Sequence, residues 1–282
     1  MKFGVNTMIW SGQYDQSVRD LLPRIKQAGF DGIEFPLFRL EGFDAAAVRR
    51  DLETNGLEAT VASAFLKGVS PVSDNAAERA SALQHLKDLI RTSADAGAKV
   101  FAGPMYSPVG YLPGRRRTAD EWKRAVEGLQ TIGDTLATNG VTLAIEPLNR
   151  FETYFLNTAV DAARLCDEIN HPNIGILFDT FHANIEEKNV AAGIRTVGRY
   201  LRHVHTCEHD RGIPGSGHTD WKGVFQALKD VGYDGWLTIE SFGFNIGDIS
   251  AAAAIWRDIE KTPDSIAFDG LRFLRDNVVR SH

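Results

Sequence analysis

Short apolar runs alternate with amphipathic stretches along the whole chain. The runs predict strands at Phe3–Asn6, Gly32–Phe35, Leu57–Ala62, Val100–Ala102, Val141–Glu146, Ile174–Asp179, His203–Thr206 and Leu237–Glu240. Between them the spacing turns helical. Val18, Leu21, Leu22, Ile25 and Ala28 fall on one helix face, as do Ala125, Val126, Leu129, Ile132 and Leu136, and later Val224, Phe225, Leu228 and Val231. Runs such as ILFD and TLAIE are apolar almost throughout, the pattern of parallel strands covered by helices. The joints repeat as well. AGFDGIEF matches VGYDGWLTIE, with AGAKVFAG and NGVTLAIE as looser copies. Each puts a glycine where a helix stops in a left-handed residue and a strand begins.

Strand–helix units of this number and length predict an α/β fold, a single (β/α)8 TIM barrel of roughly 250 residues. We expect one domain over residues 1–282, closed by a C-terminal helix at Asp264–Val279 with Leu271, Phe273 and Leu274 on its buried side. The absence of a GxGxxG after the first strand removes the simplest dinucleotide site.

Charge and composition narrow the partners. The 31 Lys and Arg against 37 Asp and Glu leave a net charge of −6, so no nucleic acid is expected. The opening MKFGVNTMIW does not read as a signal peptide, and no apolar run is long enough to cross a bilayer, so no membrane is expected either. Cys166 and Cys207 read as small core residues in a reducing, cytoplasmic compartment.

Barrel chemistry collects at the C-terminal ends of the strands. The last polar residues of the final four strands are Glu146, Asp179, His205 and Glu240. Carboxylates crowded on one rim repel unless a cation sits among them. Three oxygens with one imidazole suit Mn2+, Co2+ or Mg2+ better than structural zinc. In the segment HVHTCEH, His205 is the rim-side ligand and His203 a deeper barrel-lining residue; Cys207 reads as packing and His209 as a loop residue. Beyond the ligands lie Glu152 in NRFET, His182 in FDTFHANIEE and Arg211 in EHDRG.

At these residues the chain resembles the sugar-phosphate isomerase/epimerase-like (xylose isomerase-like) barrels, and most of all the ketose 3-epimerases such as those acting on D-tagatose and D-allulose. The combination EPLNRFET, LNT, FDTFHANIEE, HVHTCEHDRG, GSGHTDW, YDG and TIESF carries the resemblance. It implies a Mn2+-type ion on Glu146, Asp179, His205 and Glu240, and a ketose whose carbonyl and neighbouring hydroxyl are held by Glu152, His182 and Arg211. The implied reaction is epimerisation at C3 through a metal-bound cis-enediolate, with Glu146 and Glu240 as catalytic acid and base. It also implies a homodimer or homotetramer.

Recognition of the sugar's tail is where the chain departs from that family. Asn6 stands where those enzymes tend to carry an aromatic; with Trp10, Tyr106 and Phe242 it forms the expected set of tail contacts, and Tyr14, Tyr111 and Phe244 are further rim aromatics. The run Arg115–Arg117 reads as a solvated face or as a receiver for a phosphate. Hence the alternative of another proton-shuttling isomerase, epimerase or lyase, acting on an inosose, a phosphorylated ketose or a 3-keto-glycoside. Two weaker readings are an endonuclease IV-like repair enzyme, which needs histidines absent near Ser63 and Gly103, and a non-catalytic sugar binder.

Overall fold

A computed structural model describes residues 1–244 and 246–280. The expected single domain over 1–282 therefore includes three positions, 245, 281 and 282, outside the described residues.

The strands are β1 (Lys2–Asn6), β2 (Gly32–Pro36), β3 (Glu58–Ala62), β4 (Val100–Gly103), β5 (Thr142–Ile145), β6 (Ile174–Asp179), β7 (Leu201–His205) and β8 (Trp236–Ile239). They pair in sequence order, all parallel, and β8 returns to β1 to close the barrel. This is a (β/α)8 TIM barrel, as the alternating pattern predicts.

Local signals set the joints. The helix Gln16–Ala28 starts on Asp15, whose side chain accepts from the backbone of Ser17 and Val18, and ends at Gly29 with φ 101°. Gly140, in the loosest of the repeated joints, likewise takes φ 62° before β5. The closing helix spans Pro263–Arg280 and buries Leu271 and Leu274 as expected, with Phe273 half-buried against Trp221 and Phe225. Leu22, Ile25, Ile33, Phe35, Leu86 and Phe101 belong to the continuous layer between barrel and helices.

The inside of the barrel is polar at its C-terminal half. Register partners Asn6, Glu34 and Thr60 lie side by side on β1, β2 and β3. Asp179 on β6 pairs with His205 on β7, and His205 with Thr238 on β8. All of these side chains are buried. Small displacements from the expected bounds, such as β7 beginning at Leu201, leave these facings unchanged. Among the described residues no helix is long and apolar enough to cross a membrane.

Candidate metal centre and its cavity

Glu146 directly follows β5, Asp179 ends β6 and opens the helix Thr180–Glu186, His205 ends β7, and Glu240 follows β8. One ligand atom from each lies within 4.8 Å of the others, and all four residues are buried. His205 Nδ1 is the hub: Glu240 Oε2 is 3.3 Å away, Glu146 Oε1 3.7 Å and Asp179 Oδ2 3.8 Å. That nitrogen is buried and makes no hydrogen bond. An orphaned imidazole nitrogen facing three buried carboxylates fits a hard divalent cation.

Crowding shifts the ionisation of these groups. Burial and the neighbouring charge of Glu240 push the Glu146 carboxyl well above its ordinary range. Burial also opposes ionisation of Asp179, but the charge of Arg211, helped by His182 and His205, holds that carboxyl well below its range. Against burial, the charges of Glu240 and Glu34 raise His205 well above an ordinary imidazole.

Arg211 supplies the compensating cation. Its Nη1 donates to Asp179 Oδ2 and Glu240 Oε2, both at 2.8 Å, and to Cys207 Sγ at 3.0 Å. The guanidinium lies over the rings of Phe181 and Phe242, 4.1 and 5.1 Å from their centroids. Its backbone sits at φ 68°, a left-handed conformation that costs a residue with a Cβ. The turn is held by its N–H donating to Glu208 O and by Ser241 Oγ donating to its carbonyl.

His182 adds a second donor. The Asn149 N–H donates to His182 Nδ1, so the neutral ring carries its proton on Nε2. Burial, with the nearby charges of Arg211 and His205, lowers this histidine to about 3 despite the opposing Asp179 carboxylate, which keeps it neutral. Nε2 faces Glu146 Oε1 at 3.6 Å and lies 3.2 Å from Arg211 Nη2. With its proton on Nε2, the ring and the guanidinium are both donors at this 3.2 Å contact, which an oxygen acceptor placed between them would relieve. Glu152 is raised by burial and accepts from Asn149 Nδ2 at 2.8 Å.

Glu146, Glu152, His182, His205, Arg211 and Glu240 line one cavity of about 710 Å³. Phe242 and Tyr14 also line it. Trp10, Tyr106, Tyr111, Phe244 and Asn6 are not among its lining residues. The Trp10 indole donates to Asp264 and packs on Phe268; the fully buried Tyr106 hydroxyl donates to the carbonyls of Glu146 and Leu156. Asn6 lies beneath the cluster, its amide donating to Glu34 Oε1 at 2.9 Å. Two of the three arginines in the run are committed elsewhere. Arg115 pairs with Glu121, and Arg117 with Asp161 and the Phe155 carbonyl. Cys207 is buried packing, as expected, and His209 stacks on His218 at 3.7 Å.

Glu34, Asn149 and Glu208 are absent from the expected site. Glu208 is fully buried and accepts from the N–H groups of His209, Gly215, Thr219 and the Trp221 indole, shaping the loop after β7. Glu34 interrupts the apolar run GIEFP, a signal that something inside the barrel answers it.

Comparison with known proteins gives the chain its family. Residues 22–277 match the family model described as xylose isomerase-like TIM barrel. A probable ketose 3-epimerase of Synechocystis is 34% identical over 98% of this chain and 96% of its own length. A D-psicose 3-epimerase of Ruminiclostridium cellulolyticum is 30% identical over 95% of this chain and 93% of its own. Among solved structures, an L-ribulose 3-epimerase superposes with a TM-score of 0.93 at 29% identity, covering 99% of this chain and 95% of that one.

Proposed function

Because this chain belongs to the xylose isomerase-like TIM barrel family, among carbohydrate epimerases of the isomerase class, we propose that it epimerises a ketose at C3 with the help of a divalent cation. The observation that carries the reading is the buried convergence of Glu146, Asp179, His205 and Glu240 beside a cavity rich in N–H donors. These four are the proposed ligands, with Mn2+ as the proposed ion and Co2+ or Mg2+ as substitutes.

When bound, such an ion supplies positive charge against the oxyanion that develops as a proton leaves the carbon next to a ketone. The remaining work falls to side chains. Glu240 and Glu146 reach the centre from β8 and β5, 3.3 and 3.7 Å from His205 Nδ1. One carboxylate takes the C3 proton and the other returns a proton to the opposite face. In one direction Glu146 starts protonated and acts as the acid, and Glu240 acts as the base. Roles exchange in the reverse direction. His182 Nε2–H and the Arg211 guanidinium donate to the carbonyl oxygen and its neighbouring hydroxyl, charge-assisted on the arginine side. Glu152, whose carboxyl burial raises above its ordinary range, orients the adjacent hydroxyl.

A second reading draws on the cavity. Its volume of about 710 Å³ belongs to the range that holds ligands much larger than one free monosaccharide. A keto-sugar carrying a further substituent, such as a 3-keto-glycoside, therefore remains the alternative substrate class. Chelator-treated protein, resupplied with Mn2+ and offered fructose, tagatose, ribulose, allulose, their phosphates and a 3-keto-glycoside, separates the two. New C3 epimers of free ketoses support the main reading; conversion of the glycoside alone supports the second, and aldose products contradict both.

A further inference from the structure

Glu34 is a fully buried carboxylate in the barrel interior that the reaction outlined above does not use. Interiors of such barrels are usually filled with branched apolar side chains, and a buried carboxylate costs several kcal/mol unless its surroundings compensate. Here they do. His205 Nε2 lies 2.8 Å from Glu34 Oε1, and Asn6 Nδ2 donates to the same oxygen at 2.9 Å. On the other oxygen, Thr60 Oγ1 donates at 3.1 Å, and His203 Nε2 sits 2.9 Å away, off the line of a good hydrogen bond. At 2.8 Å the His205–Glu34 contact is a hydrogen bond with one proton between the two groups.

The direction of that proton matters. A carboxylate only accepts, so the His205 proton facing it is on Nε2, and the lone pair available to a metal is on Nδ1. Nδ1 is the atom aimed at Glu146, Asp179 and Glu240. Asn6 extends the brace, its Nδ2 reaching Glu240 Oε1 at 3.5 Å as well as Glu34. Register makes the arrangement rigid, because Asn6, Glu34 and Thr60 are lateral partners on three adjacent strands.

We propose that Glu34 is a positioning residue for the metal centre: it fixes the His205 ring and its tautomer so that Nδ1 faces the three carboxylates, and through Asn6 it steadies Glu240. The proposal rests on the four-ligand reading of the site. Carboxylates behind a ligating histidine typically govern roughly tenfold to a hundredfold in metal affinity.

The test is calorimetric titration of Mn2+ into the wild-type chain, Glu34→Gln, His205→Ala and the double variant, with thermal unfolding of each metal-free protein as the check on folding. Glu34→Gln should weaken Mn2+ binding by roughly tenfold or more. In the His205→Ala background the same change should cost less than about twofold, because the ring it acts through is gone. An unchanged affinity in Glu34→Gln, or an equal loss in both backgrounds, overturns the proposal and leaves the four-ligand site standing. A wild-type chain that binds no Mn2+ overturns the four-ligand reading together with it. Should Glu34→Gln fail to fold, two-bond 1H–15N spectra of the Mg2+-saturated wild-type protein decide the matter. His205 protonated on Nε2 supports the proposal; the Nδ1–H tautomer refutes it.

Discussion

Arg211 is the group whose removal reads out the charge balance of the centre most clearly. Arg211 is 4% exposed, and its Nη1 lies 2.8 Å from both Asp179 Oδ2 and Glu240 Oε2. Arg211→Met keeps an unbranched chain against Phe181 and Phe242 but removes the cation. Taking one partner from a buried ion pair costs about 3–5 kcal/mol, because the remaining charge is left uncompensated. For a chain of this size, with one kcal/mol worth about 2–4 °C, the metal-free variant should melt at least about 6 °C below wild type. The deficit should depend on pH. Arg211 holds the Asp179 carboxyl well below its ordinary range, so without it that carboxyl takes up a proton more readily and relieves the repulsion as pH falls. The loss should therefore be larger at pH 8 than at pH 5. Saturating Mn2+ should shrink it, since a divalent cation replaces the missing charge. Scanning calorimetry in chelator and in excess Mn2+ makes the comparison. A metal-free loss under about 2 °C, or the same loss with and without metal, would refute this account of how the carboxylates are balanced.

Further expectations concern the ligands and the loop. Glu146→Gln and Glu240→Gln should each lower kcat by at least about a hundredfold while far-ultraviolet circular dichroism stays unchanged; near-wild-type turnover in either removes the two-carboxylate mechanism. Mn2+ binding should release protons, because His205 is held in its protonated form by the charges of Glu240 and Glu34 and must free Nδ1 to ligate. Affinity should then rise with pH, and the heat of binding should vary with the ionisation enthalpy of the buffer; a buffer-independent heat contradicts the assignment. Arg115→Ala and Arg117→Ala should leave KM unchanged for every ketose and keto-sugar tested, because both guanidinium groups are paired with internal carboxylates. Each should cost at most about 1 kcal/mol in denaturant unfolding, and a raised KM for a phosphorylated substrate would show that they reach it.

The barrel and the four converging side chains were legible because both follow from strand order. Ile174–Asp179 has the bounds expected from its apolar run, and a parallel barrel then brings the ends of neighbouring strands to one rim. The aromatic contacts were less legible, because sequence gives the loop but not the direction of a ring. Trp10 turns to Asp264 and Tyr106 to the carbonyls behind Glu146, whereas Phe242 faces the cavity. Asn6 ends its strand, as expected, but it answers Glu34 rather than a substrate. Glu34 itself escaped because attention to the last polar residue of a strand passes over a carboxylate in the middle of one. Its signature was indirect: a charge within GIEFP, and an inward-facing His203 that needs something to face. Pairing across the barrel brings residues separated by 171 positions to 2.8 Å, and no local pattern reports that.

The central claim is proton transfer at C3 of a ketose between Glu146 and Glu240. It is tested most directly by following metal-stripped protein, reconstituted with Mn2+ in D2O, by NMR with fructose, tagatose, ribulose and allulose. The account predicts deuterium at C3 together with the C3 epimer, and neither in the chelator control. Deuterium at C1 with an aldose appearing, or no exchange at any carbon of these ketoses, would contradict it.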